Sequence, residues 1–177
     1  MSNVVIDSYT SFPVSDTELL NQTGGTGNLN PNGGTVCGVG WELQTGATTT
    51  SGNSAFGKTL TSFTFALKKS VGGTGTLNVG VWNSSNNTFT PTTDFSGEKN
   101  IANLTTSYVY EEYTGSHLLA LDDTIACLST SQTWNIQTWS GGGAMPSAQN
   151  IVARIQNISG GWFNDSGYEP NGVAVIE

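Results

Sequence analysis

The only histidine of the 177-residue chain, His117, is the one side chain suited to general-base work near neutral pH, and a Ser-His-Asp triad would have to use it. No GxSxG elbow or comparable nucleophile setting accompanies it, so His117 reads as an ordinary surface or loop residue. Cys37 and Cys127 lie about 90 positions apart, which with one histidine leaves no zinc-site spacing. Glu111 and Glu112 are adjacent, and successive strand residues project to opposite faces, so they cannot converge on one glycosidic bond. Asp7, Asp94, Glu98, Asp122, Asp123, Asp165 and Glu169 stand at strand ends or in loops, where two could meet at a glycosidase separation. The inventory as a whole argues for a protein that is not an enzyme.

Two binding chemistries suit the residues better. Asn164-Asp165-Ser166-Gly167-Tyr168-Glu169 sets hard oxygen ligands around a glycine, which makes Asp165 and Glu169 candidate calcium ligands and calcium the one cofactor suggested. The run lacks EF-hand spacing, and a solvated acidic turn before Pro170 is the favoured competing account. The second chemistry is aromatic. Trp41 shares strand parity with Cys37, Val39 and Leu43 and belongs to the core, whereas Trp82 opposes the apolar set of its strand and faces solvent or a partner. Trp134 and Trp139 have opposite parity on one strand; Trp139 opens the loop SGGGAMP, and Trp162 follows Gly160-Gly161. Exposed rings stack on sugars and anchor interfaces, so Trp139, Trp162, Trp134 and Trp82 are candidate ligand-binding residues, with closure of the core ends as the competing account. A Cys37–Cys127 bond would stabilise by ~4–5 kcal/mol in the chain-entropy account; free buried thiols are the alternative.

These groups need strands to hold them. Phe63, Phe65 and Leu67 alternate with Thr64, Ala66 and Lys68, and Leu77, Val79 and Val81 alternate with Asn78, Gly80 and Trp82. Period-2 alternation predicts two strands with one buried face, and the glycine-rich Ser70–Gly75 linker predicts a hairpin turn between them. Further strands are expected near 3–9, 36–43, 107–113, 124–129, 133–139, 150–157 and 172–177, and no helix. Short strands with polar turns and no helical crossovers indicate an all-β fold, an antiparallel jelly-roll β-sandwich, as one domain over 1–177. Residues 10–35, with TGGTGNLNPNGG, read as a polar N-terminal arm or a long surface loop.

Several of these segments also carry a family resemblance. VVIDSY, VGWELQTG, LTSFTFALKK, GGTGTLNVGVW, LTTSYVYEEYTG, LLALDDTIACLS and the late GGW occur in an order similar to a widespread β-sandwich surface module. Its members read as a DSYS opening, a VGQSF strand, an LxSVxFYLKK and GTLxVxIY pair, an LTTSY strand and an LxAGTxY turn. Such modules occur in structural and tail-associated proteins of phages and archaeal viruses and in extracellular proteins. Gly38, Trp41 and Glu42 depart from the GQSF strand, and Asp122-Asp123 stands where a small residue and glycine are usual. The resemblance implies the fold and a non-catalytic surface or binding role.

Composition narrows the class further. Five Lys plus Arg against thirteen Asp plus Glu give a net charge of −8, which repels a phosphate backbone and argues against nucleic-acid binding. Charged residues make up only 10% of the chain, so hydroxyls and amides supply its solubility, as on the outside of particles and cells. No apolar run approaches the ~20 residues that span a bilayer, which argues against membrane insertion, and MSNVVIDSYT has no signal-peptide pattern. The expectation is a virion structural protein made in the host cytoplasm: a capsid decoration, fibre or tail-associated subunit. Its partners would be copies of itself, capsid or tail proteins, and a host-surface glycan. The alternative is a secreted or cell-surface carbohydrate-binding module located outside the cell.

Overall fold

The computed structural model describes residues 18–22, 27–30, 36–43, 57–83, 95–131, 133–139, 151–157, 161–164 and 169–177. The alternating runs form two antiparallel sheets packed face to face. Among the described residues sheet one has seven strands: β1 (Glu18–Gln22), β2 (Gly27–Leu29), β4 (Thr59–Lys69), β7 (Val109–Leu118), β9 (Trp134–Trp139), β12 (Glu169–Pro170) and β13 (Gly172–Ile176). Sheet two has six, in the order β11 (Gly161–Asn164), β10 (Ile151–Asn157), β3 (Val36–Leu43), β8 (Asp123–Leu128), β5 (Thr76–Asn83) and β6 (Ser96–Asn100). The one helical turn among the described residues is the 3-10 segment Ile101–Asn103, capped by Asn100. The chain crosses between sheets at most of its connections, as jelly-roll winding requires, and the fold is the expected all-β sandwich.

Sheet one is built around β4. Strand β7 lies along one edge of β4; along the other, β13 pairs with Leu60 to Phe65 and β9 with Leu67 to Lys69. Between them β4 and β9 splay apart, and Asn171 fills the fork, its N–H donating to the Gln137 carbonyl at 2.9 Å and its carbonyl accepting from Ala66 N–H at 3.0 Å.

Two expectations about connectivity are corrected. The Ser70–Gly75 turn does not close a hairpin: β4 and β5 lie in different sheets, and the turn arches between them. Gly72 (φ 75°) and Gly75 (φ 117°) take the positive φ that the glycine-rich run predicted. Hydroxyls hold the arch, with Thr133 Oγ1 and Ser131 Oγ donating to the Thr74 carbonyl at 2.8 and 2.6 Å. The 10–35 segment is also not simply a loop or arm, because 18–22 and 27–29 within it pair with β13 and β9 of the same chain. Leu29 there is buried, and one apolar side chain in a strand of three is too weak a pattern to read. The strand expected over 3–9 lies outside the described residues.

Phe63, Phe65, Leu67, Leu77, Val79 and Val81 are essentially inaccessible and join Trp41, Ile125, Cys127 and Trp134 in one core. Trp41 of sheet two packs on Phe65 of sheet one with ring centroids 4.4 Å apart, and Phe63 touches Phe65, Phe95 and Tyr113 at 5.2–5.4 Å. These centroid separations are those at which aromatic pairs add to area burial. A register shift between Leu60 and Ser62 turns Leu60 inward as well.

Side chains bridge the side where β7 and β6 meet. Glu111 has the core-facing parity of edge strand β7, and its Oε2 takes the Lys99 ammonium of β6 at 2.5 Å. Phe95 caps the gap beside Gly115, where a Cβ would approach the ring to 2.9 Å. An inward charge is one device by which edge strands avoid adding further strands.

Candidate functional site

The tryptophans singled out by their setting divide between core and undescribed side chains. Trp82 and Trp134 are both 0% exposed, which removes them from any surface platform. Trp134 shares inward parity with Ile136. Trp82 does point away from the main core, as its parity predicts, but that face is covered too, and the ring forms a second buried cluster with Ala126 and Leu128. Trp139 ends β9 in sheet one and Trp162 lies on β11 in sheet two, opposite Gln156, so one sheet does not carry both. Their side chains, and those of Glu169 and Cys37, lie outside the described residues, as does Asp165. In register Glu169 stands opposite Trp139. Cys127 carries a free, fully buried thiol, so no bond to Cys37 is made there, and burial pushes its pKa up. Among the described residues no group of three or more potential ligand side chains gathers around a metal position, and no helix is long and apolar enough to cross a membrane.

His117 is placed differently from its expectation. It lies on the inward side of β7, mostly buried, with Nε2 2.8 Å from Asp123 Oδ2 of β8. The same carboxylate oxygen accepts the Ala120 N–H at 2.7 Å, and Asp122 takes φ 65° in the turn between. Aspartate is one of the few side chains that tolerate this left-handed backbone. The pair therefore ties the crossover from sheet one to sheet two and fixes the turn.

The outer face of sheet one gathers the described polar and aromatic side chains best placed to meet a ligand. Phe63, Phe65 and Leu67 point inward, so Thr64, Ala66 and Lys68 point out; opposite them on β7 stand Glu112, Tyr110 and, by continuation, Tyr108. Tyr108 lies across the face: its ring is 4.4 Å from the Lys68 ammonium, and its hydroxyl donates to Asn28 Oδ1 of β2 and, at 3.5 Å, to the Ile136 carbonyl. Burial pushes the Tyr108 hydroxyl up to about 12, so it is a neutral donor at physiological pH. Gln137 stands opposite Asn28, and Tyr110 is 46% exposed opposite the small Ala66. The face thus combines an exposed ring, amides, a fixed ammonium and a carboxylate, groups that bind by stacking and hydrogen bonding.

This site was missed at the sequence level although its signal was present. Tyr108, Tyr110 and Glu112 alternate in SYVYEEY, which reads as one polar, aromatic strand face. No protein-family model, curated protein or solved structure matches the chain.

Proposed function

We propose that the chain is a non-catalytic structural subunit of a virus particle, a fibre, decoration or tail-associated protein that works by contact with copies of itself and with capsid or tail proteins. The observation that carries the reading is the apolar side chain left open at each end of β4. Val71 is 96% exposed at the tip of the β4–β5 arch, and Leu118 and Leu121 are 63% and 44% exposed beside the strand's other end. Apolar ends on a body whose β6 and β7 are bridged by the Lys99–Glu111 pair suit end-to-end contacts, which between unlike ends are heterologous and build rings or fibres. The low charge and the family resemblance support the same class of role. Mass spectrometry of purified particles tests it, together with the neighbouring genes: the chain should be a stoichiometric particle component encoded beside terminase and portal genes. A gene set of polysaccharide-degrading enzymes, with the chain absent from particles, would overturn it.

The outer face of sheet one favours a second reading, a glycan-binding surface module located outside the cell. The ring of Tyr110 and the Tyr108–Asn28 contact support it, in place of the buried Trp82 and Trp134. Glycan-array binding that is lost on Tyr110→Ala would favour this reading; binding to no glycan on the array would reject it.

A further inference from the structure

The chain has five cationic side chains against thirteen acidic ones. Lys99 is ion-paired with Glu111, and Lys69 donates to the Ala102 carbonyl. Lys68 has no carboxylate partner among the described residues, yet its position is fixed over the Tyr108 ring. A cation over a ring keeps its charge and loses little of its hydrogen-bonding capacity. In a protein of net charge −8, such an isolated cation selects a lone carboxylate and not a polyphosphate, because the surrounding field opposes dense negative charge.

The neighbouring groups define what carries that carboxylate. Asn28 commits Oδ1 to the Tyr108 hydroxyl, which leaves its Nδ2 hydrogens as donors, and Gln137 adds a second amide beside it. Tyr110 offers a half-exposed ring with no bulk opposite it, since Ala66 is its register partner. Glu112, exposed at the far end, accepts hydroxyl hydrogens. From Lys68 to Thr64, beside Glu112, the face runs four residues, about 13 Å at ~3.3 Å per residue. That is the length of a short oligosaccharide.

We propose that this face binds an acidic oligosaccharide, with Lys68 pairing a uronate carboxylate, Tyr110 stacking on a sugar ring, and Asn28 and Gln137 donating to hydroxyls. The proposal rests on the glycan-binding reading and specifies its ligand class and residues.

Calorimetric or NMR titration of the whole chain tests it, using trisaccharides that each carry one uronate (galacturonate, mannuronate or glucuronate), with the methyl ester of the galacturonate-containing trisaccharide and neutral cellotriose as uncharged probes. At least one uronate should bind, up to about fivefold more tightly than the uncharged trimers, the size an exposed ion pair supplies, and added salt should erode that difference. Lys68→Gln should remove the preference for the acid while Lys68→Arg retains it. Tyr110→Ala should weaken every bound trimer about tenfold, with an unchanged melting curve. Equal binding of acid and uncharged trimers, unaffected by Lys68→Gln and Tyr110→Ala, would remove this site while leaving the glycan-binding reading standing. Binding of no trimer would remove this site, and binding to no glycan on the array as well would remove both.

Discussion

Gly172→Ala should be among the most damaging single methyl additions to this protein. A Cβ built at Gly172 would lie 1.9 Å from the Thr64 carbonyl oxygen and 2.6 Å from Trp41 Cη2. The first contact is backbone and cannot rotate away, so β13 must lift off β4 where Gly172 pairs with Phe65. Two hydrogen bonds flank that point, Ala66 N–H to the Asn171 carbonyl and Val173 N–H to Thr64 Oγ1, both at 3.0 Å. Losing them costs ~1 kcal/mol each, and displacing the packed Trp41 ring adds ~1–3 kcal/mol. The sum is about 3–5 kcal/mol, or a melting point lower by about 6–20 °C at the 2–4 °C per kcal/mol expected for this size. Thermal and urea unfolding, followed by far-UV circular dichroism and tryptophan fluorescence, measures it. Gly97→Ala is the control, because its Cβ would meet only Val79 Cγ2, at 3.3 Å, and should cost under about 1 kcal/mol. Trp41→Phe removes the ring atom but not the carbonyl, so Gly172→Ala should remain costly in that background. A Gly172→Ala protein within ~1 kcal/mol of the parent, or one fully rescued by Trp41→Phe, would refute the description of the fork and of the two-sheet packing beneath it.

Other expectations follow from burial and charge. Trp82→Ala should destabilise by ~3–5 kcal/mol, as for a large ring removed from a closed site; a near-neutral result in chemical denaturation would place the ring on the surface. Cys127 should resist a thiol reagent at neutral pH and react only on unfolding, since burial raises its pKa; rapid native labelling of the Cys127 peptide, read by mass spectrometry, would contradict this. Tyr108 and Tyr113 both hold their protons more firmly when folded, so the stability they contribute is complete below the ordinary tyrosine pKa of 10.0; the Tyr108 share is lost as pH rises through about 12 and the Tyr113 share at higher pH. The urea midpoint should therefore fall from about pH 10 upward, less steeply in Tyr108→Phe, and a midpoint level from pH 9 to 12 would count against both assignments.

Much of the fold was legible because alternation is a direct consequence of strand geometry. β3 is found at the expected 36–43, and the inward sets of β4 and β5 are the residues their parity selects. Partner choice was not legible: glycines that suit a hairpin suit an arch equally, and the Ser70–Gly75 run carries no information about which sheet β5 enters. Parity also gives a face without saying what lies over it. Trp82 was assigned the correct side of its strand and the wrong environment, because the outer face of sheet two is buried there as well. Strands as short and polar as SGEKN in β6 offer no periodic signal, and their pairing comes from β5 beside them. His117 was hidden for a related reason: the strand read over 107–113 continues to Leu118, which places the imidazole inside, against Asp123. The outer-face site was less legible because Tyr108 and Tyr110 lie within the strand read over 107–113 and have no glycine-rich loop beside them, unlike Trp139 and Trp162.

Multi-angle light scattering over a range of concentrations tests the contact-based account most directly. The parent chain should associate as concentration rises, and Val71→Asp and Leu118→Asp should each return it to a monomer with an unchanged far-UV spectrum, because either variant spoils one end of a heterologous contact. A parent that stays strictly monomeric, or an assembly indifferent to both substitutions, would contradict the account.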